Sequence, residues 1–184
     1  MSEKYQHLEI LDAKDAPAPE DIAAIEALLG RPLPADFLDF LSVANGAQLE
    51  YCVRVPPHDK IVCFYDIFLA GKNKPGEFYS TFIQEIELER QQSQIPKEFL
   101  PFASDGAHGV LYLDLTPEGN GRVVVSMEGW VWNGGQGDGY VVLAPSFAAY
   151  VEMLFECEDE IQENPQEKHR KTPLRDILAR LRIW

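Results

Sequence analysis

The sequence predicts an α+β fold: a single domain with a mainly antiparallel twisted sheet packed against several helices. Two observations predict it. Apolar periods run in the order helices, strands, a helix, strands, a helix. The strands are joined by hairpin-type connections, which favour an antiparallel sheet with helices segregated to one side. The 184 residues fit one domain, large enough to bury roughly 70% of its unfolded surface without needing a disulfide or a metal.

In chain order, residues 4–12 read as a short helix with Leu8 and Leu11 as anchors, and residues 13–18 as a loop. Ile22, Ile25, Leu28 and Leu29 recur at helical spacing. Pro19 suits the first helical position, Glu20 and Asp21 its electropositive end, and Gly30 its stop. Leu33 and Pro34 start a second helix with Phe37, Leu38, Phe40 and Leu41 inward and Asp36 and Asp39 wet. Asn45 and Gly46 end it, both residue types that tolerate left-handed backbone. Residues 48–55 and 61–69 read as strands.

Residues 78–92 read as a helix with Phe78, Phe82, Ile86 and Leu88 inward and Glu85, Glu87 and Glu89 wet. Two prolines make 95–101 an extended link, and 102–109 a turn. Residues 110–115 alternate Leu111, Leu113 and Leu115 with Tyr112 and Asp114. Residues 117–121 are a turn, and 122–128 complete a hairpin. A glycine-rich loop with two tryptophans precedes a strand at 140–143. Residues 146–162 read as the longest helix. Thr172 and Pro173 open a last one, with Leu174, Ile177, Leu178 and Leu181 inward. The expected organisation is a domain over 1–156 and a helical extension, 157–184, docked on it.

Three patterns carry a family resemblance: "I..IE..LG..LP.DF..FL...NG" over residues 22–46, IPKEFLPFASDGAHGVLYLDL over 95–115, and VLAPSFAAYVEMLFE over 142–156. In this order they resemble the SUKH superfamily, which includes fungal Smi/Knr-type regulators of cell-wall synthesis and many bacterial immunity proteins. The resemblance implies the same α+β class and a protein-binding role.

Net charge is −14. Residues 156–167 add six acids and no base, whereas residues 168–184 carry six bases and one acid. An acidic body opposes direct nucleic-acid binding, which needs cations to neutralise phosphates. It suits a basic partner, or serves solubility alone. No apolar run approaches the roughly 20 residues of a membrane span, and the first residues lack a secretory pattern. A cytoplasmic location is expected. Cys52, Cys63 and Cys157 are odd in number and lack CxxC spacing, so they read as buried free thiols.

No catalytic set emerges. His7, His58, His108 and His169 have no metal-ligand partner at i+3 or i+4. Residues 134–139, GGQGDG, lead into a strand and lack a lysine, unlike a phosphate cradle, so they read as a connector. Asp105 sits in a Ser-Asp-Gly turn. No catalytic residue, metal or cofactor is expected. The candidate partner surface is Asp105, Asp114, Glu128, Trp130, Trp132 and Asp138. Acids beside tryptophans suit recognition of a basic protein, although either ring could instead cover the sheet. The expected function is a non-enzymatic immunity protein that binds a basic, nuclease-type toxin domain. The alternative is a regulatory or scaffolding protein with another protein partner. A monomer or weak homodimer is expected.

Overall fold

The computed structural model describes residues 3–55, 60–106, 109–126 and 140–157. Seven strands form one antiparallel sheet: β1 Gln48–Val55, β2 Lys60–Ile67, β3 Phe99–Ser104, β4 Val110–Asp114, β5 Arg122–Ser126, β6 Val141–Ala144 and β7 Phe155–Glu156. The spatial order is β6-β5-β4-β3-β2-β1-β7. Among the described residues four α-helices accompany it: α1 Pro19–Leu29, α2 Ala35–Ala44, α3 Phe82–Gln92 and α4 Phe147–Glu152. The α+β architecture is the one the sequence predicts.

The helical hairpin α1–α2 forms as its residues dictate. Pro19 occupies the first turn, and Gly30 adopts φ 70°, closing α1 with its N–H on the Glu26 carbonyl. Ile25 and Leu29 are buried. Phe37 and Phe40 of α2 are fully buried and hold the aromatic centre of the core. Phe37 meets Phe82, Phe102 and Phe147 edge-on at 4.9–6.1 Å between ring centroids. Phe40 meets Tyr5, Phe64 and Phe147. Asp36, expected to be wet, instead receives the Ala148 N–H at 2.8 Å and ties α2 to the first turn of α4.

Several elements differ from expectation. The first residues form only a 3-10 turn, Glu3–Tyr5. Leu8 is buried, and Leu11 bridges to Gln48. The residue after α2, Asn45, has φ −64°, and only Gly46 is left-handed. Asn45 is there for its side chain. Its Oδ1 accepts the Ala70 N–H at 2.7 Å, and its Nδ2 donates to the Asp15 and Ala70 carbonyls. Helix α3 starts at Phe82 rather than 78, because Thr81 and Gln84 form a reciprocal capping box. Phe78 is therefore left outside it and 95% exposed, and Leu88 also faces out.

Residues 99–104, expected as link and turn, are the strand β3. Pro101 is accommodated at a bulge in the β3–β4 register. Helix α4 ends at Glu152, and Phe155 pairs with Cys52 in β7. The cysteines are not three free thiols, since Cys52 and Cys157 form a disulfide beside free Cys63. Only Cys157 of the expected extension, 157–184, lies among the described residues.

The main core fills the face of the sheet that α1, α2 and α4 cover. The opposite face carries a second cluster, Ile95, Phe99, Tyr112 and Val124. Strand β4 is consequently buried on both faces: Leu111 and Leu113 point to the main core and Tyr112 to the second cluster.

Candidate functional site

Strand register builds a polar row on the face opposite the main core. Gln48 pairs with Asp66, Asp66 with Ser104, and Ser104 with Val110, so one cross-strand row spans β1 to β4. Gln48 Nε2 donates to Asp66 Oδ1 at 2.8 Å, holding both side chains in place. Helix α3 lies alongside and contributes Glu85, Leu88 and Glu89. The segment ahead of it contributes Phe78, Tyr79 and Ser80. Together they enclose a cleft of about 460 Å³. Among the described residues, its charged lining consists of Asp66, Glu85 and Glu89, with no Lys, Arg or His.

Glu89 is the most buried of the three acids, and its Oε2 accepts the Tyr112 hydroxyl at 2.6 Å. Burial, then the charge of Glu89, hold the Tyr112 phenol far above its ordinary range. Tyr112 is thus a neutral donor that fixes the carboxylate.

Phe78 stands at the rim on a pinned support. The Tyr79 N–H donates to Asn73 Oδ1 at 2.9 Å, and Asn73 Nδ2 donates to the Tyr79 carbonyl at 2.8 Å. On the other side, the Glu77 N–H bonds the Lys74 carbonyl and the Glu77 carboxylate accepts the Lys74 N–H. Both neighbours of Phe78 are fixed, so its ring is displayed to solvent on an ordered loop. Apolar spacing alone puts Phe78 inside a helix. The signal that locates it correctly is Thr81-x-x-Gln84, which sets the helix start three residues later.

The predicted site residues do not all meet here. Asp105 borders the cleft: its N–H bonds the Gly109 carbonyl, and its Oδ1 accepts the Gly109 N–H at 2.8 Å, closing the turn that ends the polar row. Asp114 lies at the far end of β4 and is 1% exposed. Its Oδ1 accepts the Thr116 N–H and hydroxyl, and its Oδ2 pairs with Arg122 at 2.6 Å. Arg122 also donates to the Tyr140 hydroxyl at 3.0 Å. A Cβ at Gly119 would overlap the Asp114 carboxylate, so that turn is built around this acid. Asp114 is the pin of the β4–β5 hairpin, and its oxygens face inward. Glu128, Trp130, Trp132 and Asp138 lie outside the described residues.

Chemically, the cleft offers fixed carboxylates, hydroxyls and a displayed apolar rim. That combination is chemically suited to a cationic side chain with an apolar one beside it. Among the described residues no helix is long and apolar enough to cross a membrane. The model of the SMI1 / KNR4 family (SUKH-1) matches residues 16–153. Among curated proteins none matches the chain.

Proposed function

The chain belongs to the SMI1 / KNR4 family (SUKH-1), and from that premise we propose that it is a non-enzymatic protein-binding module, an immunity protein that binds and neutralises a basic bacterial toxin domain. The observation that carries the reading is Phe78, 95% exposed and held between two pinned residues at the rim of an acid-lined cleft. A large exposed ring on an ordered loop is what a hot spot requires, since aromatic anchors dominate binding energy. The acids Asp66, Glu85 and Glu89 supply the complement to a Lys- or Arg-rich surface. A nuclease toxin has such a surface because it must hold phosphates. The proposed contact surface is the cleft together with Asp105, Glu128, Trp130, Trp132 and Asp138, while Asp114 supports it from within the hairpin. The Smi/Knr-type regulatory role is the second reading, favoured by the family itself, and differs only in the partner.

The test is co-expression with any toxin domain found encoded beside the gene. Growth should be rescued, and the purified pair should form a complex. Phe78→Ala should leave thermal stability unchanged and speed dissociation by about tenfold or more, the effect of removing a hot-spot contact of at least roughly 1.4 kcal/mol. Rescue without any loss on Phe78→Ala would move the binding face elsewhere. Absence of both rescue and complex would favour the regulatory reading.

A further inference from the structure

Cys52 and Cys63 stand directly opposite each other on β1 and β2. Cys157 follows β7, which pairs Phe155 with Cys52 on the other side of β1. Two neighbouring strands and the sequence-remote segment after β7 thus deliver three sulfurs to one point, all within 4.8 Å of one another. Cys52 and Cys157 are joined, and Cys63 keeps its thiol. The Cys63 Sγ is 3.4 Å from that of Cys52 and 3.9 Å from that of Cys157.

Those two distances are nearly equal, so Cys63 lies beside the disulfide and not on its extension. Thiol–disulfide exchange needs a thiolate aimed along the sulfur–sulfur axis, and this placement does not provide it. The triangle suits a different chemistry. With metal–sulfur bonds of about 2.3 Å, three thiolates around a central ion stand roughly 4 Å apart. The Cys63 separations already match that spacing. Two of the three ligands are cross-strand neighbours, so the sheet holds them in register before any ion arrives.

We propose that the reduced Cys52, Cys63 and Cys157 form a binding site for one soft, thiophilic cation of the Cu(I) class. Softness follows from three thiolate ligands, which select Cu(I) over hard cations. The class follows from ligand type and number together: Cu(I) is satisfied by three soft thiolates, whereas zinc fills a fourth position with a further protein ligand or a water, and the cluster has three ligands among the described residues. The site opens when a small-molecule thiol reduces Cys52–Cys157. Two thiols give up two electrons and two protons, become a disulfide, and leave two cysteine thiols. Binding then replaces the thiol protons with the ion and releases them to solvent. The coordinated ion ties β7 to β1 at the same place as the disulfide.

The full chain, reduced with a phosphine under anaerobic conditions, is titrated with Cu(I) against a chromophoric Cu(I) chelator. One ion per chain should be withdrawn, with a thiolate-to-copper absorption band in the ultraviolet. The disulfide form should withdraw none. Cys63→Ser should lower affinity by at least about tenfold, a loss seen even for outer-shell partners of metal sites. Cys157→Ser, at the sheet edge and away from the core, should do the same and serves if Cys63→Ser folds poorly. Uptake by the reduced chain no better than by a variant lacking all three cysteines would overturn the site. So would wild-type affinity in Cys157→Ser. Zn(II) held as tightly as Cu(I) would overturn the assigned ion class.

Discussion

Burial of two tyrosine hydroxyls governs how the molecule meets alkali. Burial, then Glu89, then Glu85 raise the Tyr112 phenol, and burial followed by Cys63 raises that of Tyr150. In the unfolded chain both ionise near 10. The folded chain therefore holds more protons than the unfolded one above that pH. This contribution to stability is fully present below about pH 10 and is lost as pH rises past it. In a spectrophotometric titration of the 7 tyrosines, Tyr112 and Tyr150 should stay silent until near-ultraviolet circular dichroism reports loss of the fold. Ionisation of Tyr112 and Tyr150 near pH 10 with the fold intact would contradict the burial. At this scale the sequence is least explicit. Glu89 resembles its wet neighbours Glu85 and Glu87 on the same helix, and only Tyr112, 23 positions away, makes it an interior residue. Asn45 shows a type suited to left-handed backbone, yet its extended backbone and its bonds to Asp15 and Ala70 come from tertiary contact. Asp114 shares its residue type with surface acids, but Arg122 and Thr116 draw it inside.

Elements with a strong local period were legible. The helices α1 and α2 and the strand Gln48–Val55 lie where apolar spacing puts them, and the β4–β5 hairpin follows from alternation and a glycine turn. Misreadings came where a local signal was ambiguous. Pro101 looked like a strand breaker, but a bulge absorbs it. Leu154 and Phe155 continued the helical spacing of α4, but β7 takes Phe155 to the sheet edge, where Arg54 stacks on its ring. The boundary and the packing of an element also differ in energy, and two substitutions separate them. Phe40→Ala removes a fully buried ring from the aromatic centre and should cost about 3–5 kcal/mol. Thr81→Ala removes only the cap of α3 and should cost about 1 kcal/mol. Urea denaturation monitored by circular dichroism ranks the two. Equal losses would mean that α3 depends on its cap as heavily as the core depends on Phe40.

Over the whole molecule, the cleft is a non-local object. Its row, Gln48, Asp66, Ser104 and Val110, draws one residue from each of four strands, and its wall comes from α3. Spacing along the chain cannot reveal it, because only strand pairing brings those positions together. Net charge, by contrast, is a property of the sequence and acts at long range. A chain of net charge −14 attracts a basic partner before contact, and that attraction acts mainly on the association rate. Raising salt from about 0.05 M to 0.5 M shortens the Debye length roughly threefold, from about 14 Å to about 4 Å. If the proposed complex forms on the acidic face, association should slow across that range while dissociation changes little. Glu128→Lys with Asp138→Lys should slow association at low salt and flatten its dependence on salt. Phe78→Ala should leave that dependence intact, because a ring that becomes buried on docking acts only after the surfaces meet. Stopped-flow association at four salt concentrations distinguishes the two effects. A salt dependence unchanged by the charge reversals would assign the acidity to solubility and leave the aromatic rim as the recognition element.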